Sequence, residues 1–191
     1  MATKEKWIQY FDNQAVMEPD PVGKMGFYLN KQPVDIKLMH NAVRDVMDKL
    51  KPHGKILEIG CGIGILQSYV KGVVSIDTSF NMVKYAKQLH HGEYIVADAE
   101  YLPFQERIFD QLICYSVIHY FGTIQKAMQI IDSFKRYASV ILIGDIPEDL
   151  GVKKESLVFD RKLFNHHEIL EQNIPGKIIK SRFDVIIRAI Q

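Results

Sequence analysis

The chain has 191 residues, of which 47% are apolar and 25% charged. This ordinary globular composition excludes a disordered, collagenous or low-complexity protein and suits one domain with a cap. Its 24 basic and 23 acidic residues leave a formal net charge of +1, so no bulk attraction to nucleic acid or to an acidic membrane is expected.

The first 33 residues are irregular, with Trp7, Tyr10, Phe11, Phe27 and Tyr28 interrupted by Pro19, Pro21 and Pro33; a short helix is predicted over 4–14. They lack the continuous apolar core of a signal peptide, and the longest apolar runs, such as Val140 to Ile143, are strand-sized. A soluble, cytoplasmic protein that avoids membranes is expected. A helix is predicted over 34–50, where Leu38, Met39, Ala42, Val43, Val46, Met47 and Leu50 share one face. Pro52 and Gly54 end it.

From Lys55 the pattern alternates. Strands are predicted over 55–59, 73–76, 93–97, 109–115 and 139–144. Helices are predicted over 65–70, over 79–90 with Ser79 as cap, over the stretch after Thr123, and over 161–172 after Asp160. The β-branched stretch 177–190, with Ser181-Arg182 near its middle, reads as a closing hairpin. Strand–helix alternation implies a parallel sheet covered on both faces, and the final pair must be antiparallel for want of a crossover. The predicted fold class is therefore α/β: an open, doubly wound, Rossmann-like sheet, mostly parallel with a C-terminal antiparallel hairpin. Residues 1–54 are expected to cap a core formed by 55–191.

On such sheets ligands bind beyond the carboxyl ends of the strands. There, Ile56-Leu57-Glu58-Ile59-Gly60-Cys61-Gly62-Ile63-Gly64 joins a buried strand and an acid to a glycine turn that opens a helix. A dinucleotide fingerprint needs a third glycine, but counting from Gly60 reaches Ile65 and counting from Gly62 reaches Gln67. No Walker lysine follows either. Asp77 ends the second strand, as a ribose ligand or a helix cap. Asp98 ends the third, facing an adenine amino group or serving as a turn aspartate.

Together these segments resemble the class I S-adenosylmethionine-dependent methyltransferases, over about residues 55–120. The glycine segment resembles that family's first motif, Ile76-Asp77-Thr78-Ser79 its ribose acid, and Ala97-Asp98-Ala99 with Leu102-Pro103-Phe104 its adenine motif. The run Phe109 to Tyr120 resembles its fourth-strand motif. The resemblance implies S-adenosyl-L-methionine as cofactor. Gly60, Cys61, Gly62 and Gly64 would line its methionine part, and Glu58 would organise the loop and the ammonium group. Asp77 and Thr78 would take the ribose, Asp98 and Ala99 the adenine, and Tyr115 or Ser116 would offer a carbonyl. Cys61 is read as a small buried residue in a tight turn rather than as a reactive thiol.

His119, just after the fourth strand, is the candidate base or acceptor-orienting group, with backbone bonding as its alternative role. Tyr115 and Tyr120 would line the acceptor site or stack near the sulfonium. Met25-Gly26-Phe27-Tyr28 reads as a lid segment and Pro147 to Leu157 as a second wall. Cys61 and Cys114 form no Cys-x-x-Cys pair, and His90-His91 and His166-His167 lack the spacing of a zinc site, so no metal is expected. The expected activity is methyl transfer to a small-molecule or sugar-type acceptor by a monomer or homodimer that does not bind nucleic acid. A nicotinamide-dependent oxidoreductase and a non-catalytic cofactor-binding module are the alternatives.

Overall fold

The computed structural model describes residues 3–29, 31–148, 156–176 and 182–189. Its main sheet comprises β1 (Ile56–Ile59), β2 (Val73–Asp77), β3 (Glu93–Val96), β4 (Phe109–Tyr115), β5 (Ala138–Pro147), β6 (Glu168–Glu171) and β7 (Arg182–Arg188). The spatial order is β3-β2-β1-β4-β5-β7-β6, parallel through β5, with β7 antiparallel to both its neighbours. The chain also forms α1 (Lys4–Met17), α2 (Pro21–Lys24), α3 (Ile36–Leu50), α4 (Phe80–Leu89) and α5 (Ile124–Phe134). A short ladder pairs Tyr28–Leu29 with Gln32–Pro33.

The central strands are apolar on both sides because helices cover both faces. Ile56, Ile113, Leu142 and Ile186 meet Val46 and Leu50 of α3. On the opposite face Leu57, Leu112, Ile141 and Val185 meet Ala127, Ile130, Ile131 and Phe134 of α5. The helices begin where side chains can satisfy their free amides. Asp35 accepts from Lys37 N, Ser79 from Met82 N and Thr123 from Lys126 N, at 2.8, 3.1 and 3.1 Å.

Register places the site. Ile59 sits opposite both Ile76 of β2 and Cys114 of β4, so Gly60, Asp77 and Tyr115 emerge together at the carboxyl end. Strand order reverses at the β1–β4 boundary, the switch point where open α/β sheets bind ligands.

One expectation is corrected near the C-terminus. Asp160 does accept from Lys162 N at 2.9 Å, yet only one 3-10 turn, Arg161–Phe164, follows. Residues 168–171 form strand β6 because the exposed edge of β7 offers ladder partners from Glu168↔Ile186 to Glu171↔Phe183. β7 thus pairs antiparallel with β6 as well as with β5, and residues 177–181 of the predicted 177–190 hairpin lie outside the described residues. The helix predicted over 65–70 is a 3-10 turn, Ile65–Ser68.

A charged cluster fastens α3 to the sheet. Lys49 Nζ donates to Asp45 at 2.6 Å and to Asp184 at 2.5 Å, and the Asp184 side chain is fully buried. Removing one member of a buried pair leaves the other uncompensated. Lys49→Ala is therefore expected to cost about 3 kcal/mol in urea denaturation; a loss under about 1 kcal/mol, the range of an exposed pair, would contradict this role.

Candidate active site

The loop after β1 turns back at Gly60, whose φ is +72°. A Cβ there would lie 2.3 Å from Val117 Cγ2, so the residue must be glycine for conformation and for space alike. Gly60 N and Cys61 N both donate to Ile76 O, at 2.8 and 3.0 Å, which seats the loop on β2. Gly64 serves another contact. A Cβ there would stand 2.6 Å from the Tyr94 hydroxyl, which faces it from behind the loop.

Three acids converge. Glu58 is buried on β1 and accepts from Ser75 Oγ at 2.5 Å. Burial pushes its carboxyl up to about 8; the Ser75 hydrogen bond opposes this, and nearby Asp77 adds to it. Asp77 accepts from Gly62 N through Oδ2 and from Ser79 N through Oδ1, both at 2.9 Å. Desolvation raises its pKa against the lowering effect of these amides. A carboxylate has about four lone-pair sites, so each oxygen keeps capacity for a ligand hydroxyl. Asp98 accepts from Lys4 Nζ at 2.5 Å and from Glu100 N at 2.9 Å. Lys4 also reaches Glu100 at 3.2 Å.

The cover comes from α1. Asp12 accepts from Ser79 Oγ at 2.7 Å and from Asn81 N at 3.0 Å, tying α1 to the start of α4. Trp7 and Phe11 pack on Tyr120, with ring centroids 4.6 and 5.1 Å apart. Tyr115 lies over Gly144, where a Cβ would be 2.3 Å from its ring. Burial raises the Tyr115 and Tyr120 pKa values, so both phenols stay protonated at neutral pH and remain donors.

These elements enclose a cavity of about 200 Å³. Glu58, Gly60, Cys61, Gly62, Asp77, Thr78, Asp98, Ala99, Tyr115, Ser116 and Tyr120 all line it. Gly64 and His119 do not. On the 3-10 turn Ile118–Tyr120 adjacent side chains diverge: Tyr120 enters the cavity, while buried His119 lies outside its lining and accepts from Leu157 N through its backbone carbonyl at 3.1 Å. Met25 and Phe27 of the anticipated lid line the cavity. Of the second wall, 149–155 lie outside the described residues. Lys4, Asp12, Trp7 and Phe11 were not anticipated as site residues; the aromatic spacing of 4–14 was the signal that could have found the last two. The Cys61 and Cys114 thiols are buried and pushed up by desolvation, which suits packing rather than chemistry. Among the described residues no three His, Cys, Asp or Glu side chains gather as a metal site, and no helix is long and apolar enough to cross a membrane.

Residues 57–138 match the family model described as a methyltransferase domain. The chain is similar, at 35% identity over 80 residues, to an uncharacterised protein of Methanocaldococcus jannaschii, covering 41% of this chain and 32% of that one. It is 30% identical over 119 residues to phosphoethanolamine N-methyltransferase 1 of Zea mays, covering 56% of this chain and 23% of that one. The chain thus spans about a third or less of the curated relatives it matches. In fold it is similar to magnesium protoporphyrin IX methyltransferase of Synechocystis PCC 6803, solved with bound SAM, with TM-score 0.68, 19% identity and 98% of each chain covered. Residues 57–138 are thus similar to a methyltransferase domain, and the sheet around them has the Rossmann-like fold seen in that solved methyltransferase.

Glu58 yields a pH prediction. The folded chain keeps this proton up to about pH 8, whereas the unfolded chain releases it near 4.5. Between those values the folded state binds more protons, so stability falls as pH rises, by at most about 1.4 kcal/mol per pH unit from this group. Urea denaturation across that window is expected to show a flatter profile for Glu58→Gln than for the parent chain. Superimposable profiles would contradict the assignment.

Proposed function

We propose that this chain is an S-adenosylmethionine-dependent methyltransferase acting on a small molecule, with residues 1–54 as the cap over its cofactor. The observation that carries the reading is the convergence of Glu58, the Gly60–Gly62 turn, Asp77 and Asp98 on one cavity at the switch point of the sheet. When bound, the cofactor supplies an electrophilic methyl group on a cationic sulfonium.

The residues present fit that group. Glu58, a buried acid among apolar walls, gains a charge partner when a cation enters. Asp77 keeps a free lone pair on each oxygen for a vicinal diol while its two amide bonds hold it still. Asp98 and Ala99 line the same cavity and would take the adenine, with Lys4 compensating the Asp98 charge. The rings of Tyr115 and Tyr120 line the cavity, where their π-faces suit a sulfonium. Gly60 holds the backbone in a turn that lets a ligand approach closely. The protein's share of the rate is then orientation and exclusion of water, the latter through the Trp7–Phe11–Tyr120 cover. His119 lies outside the cavity lining and takes no catalytic part in this reading. The missing third glycine disfavours a pyrophosphate-bearing nicotinamide cofactor.

Calorimetric titration with S-adenosylhomocysteine tests the reading. Saturable binding is expected, weakened about ten- to a hundredfold by Asp77→Asn, the scale of lost hydrogen bonds to a charged group. Micromolar binding of NADH with none of S-adenosylhomocysteine would overturn it.

A further inference from the structure

The polar groups of the cavity are unevenly distributed. Glu58, Asp77, Thr78 and Asp98 enter from the ends of β1 to β3, and Lys4 is held by Asp98. The walls from α1 and α3 are apolar, built from Trp7, Phe11, Met39, Val43 and Val46. The β4 end adds the phenols of Tyr115 and Tyr120 and one aliphatic hydroxyl, that of Ser116.

Ser116 is held unusually. Its φ is +59°, and that of its neighbour Asp145, on β5, is +56°. Non-glycine residues in this region persist only where the surroundings enforce them, and such strain clusters at ligand sites. Here Ser116 N donates to Gly144 O at 2.9 Å, and Ser116 Oγ donates to Asp145 Oδ2 at 2.8 Å. Asp145 is buried, accepts from Arg182 Nη1 at 2.7 Å, and donates its own N–H to Asp184 at 2.8 Å. An ionised carboxylate only accepts, so the single proton of Ser116 is committed to Asp145. The serine oxygen can therefore offer a ligand only lone pairs.

We propose that the methyl acceptor is an apolar, ring-sized molecule with one N–H or O–H nucleophile that donates to Ser116 Oγ, and that Asp145 is the positioning residue that keeps Ser116 an acceptor. This rests on the methyltransferase reading above. On transfer the acceptor's lone pair forms the new bond to carbon, the carbon–sulfur pair returns to sulfur, and the acceptor's proton leaves to water. A sugar, with donors on most carbons, would bury several of them without partners against α1 and α3.

The test uses the full chain saturated with S-adenosylhomocysteine and four probes: 2-naphthol, 2-methoxynaphthalene, glucose and phosphoethanolamine. Calorimetry is expected to show 2-naphthol binding about tenfold tighter than its methyl ether, the scale of one hydrogen bond, and no binding of glucose or phosphoethanolamine. Ser116→Gly, compatible with the left-handed backbone, should abolish the preference for naphthol over the ether. In Asp145→Gly, compatible with the left-handed backbone there, Ser116 loses its acceptor and its hydroxyl proton can turn toward the cavity, so the preference should shrink or invert. Binding of glucose or phosphoethanolamine without the naphthyl probes, or an unchanged preference in Ser116→Gly, would overturn the proposal. Failure of S-adenosylhomocysteine itself to bind would overturn the cofactor reading. Saturable S-adenosylhomocysteine binding with no naphthyl binding would overturn the acceptor assignment alone.

Discussion

The carboxylate of Asp77 accepts one amide from the glycine loop and one from the start of α4, each at 2.9 Å. Neither amide has a strand or helix partner in that position, and a buried N–H left alone is costly. One side chain therefore fixes the loop after β1 relative to the helix after β2. The walls of the cavity inherit that geometry. Asp12 extends the same junction to α1 by binding Ser79 and Asn81, so the cover is anchored to the helix start that Asp77 organises.

The distribution of charge follows a second constraint. Burial raises the pKa of both Glu58 and Asp77, with Asp77 adding to the effect at Glu58 and Asp12 to that at Asp77, and among the described residues no Lys or Arg is paired to either. Asp145 and Asp184 are buried as well, but Arg182 and Lys49 compensate them. The same chain thus holds compensated acids where the sheet meets α3 and uncompensated ones where the cavity opens. Buried acids whose ionised form lacks a partner, set between apolar walls, suit a cation brought from outside.

Much of this was legible locally. The strand ends at Gly60, Asp77 and Asp98, the caps Ser79 and Thr123, and the apolar face of α3 all follow from short-range pattern. Buried parallel strands are uniformly apolar, glycine marks turns closed to side chains, and capping needs a short polar side chain at one position. The hidden parts depend on partners distant in sequence. Glu168 to Glu171 has a pattern open to helix or strand, and only the free edge of β7 decides it.

The amino-acid sequence by itself determined the doubly wound sheet, the glycine–acid succession and their place at the strand ends, because each rests on periodicity and on the intrinsic conformational range of a few residue types. Tertiary structure alone decided that Tyr120 enters the cavity while His119 lies outside its lining, that Lys4 meets Asp98 across 94 positions, and that Ser116 gives its proton to Asp145. The direction of a side chain on a single turn, and the pairing of groups from separate elements, are set by packing and register, which no local pattern encodes.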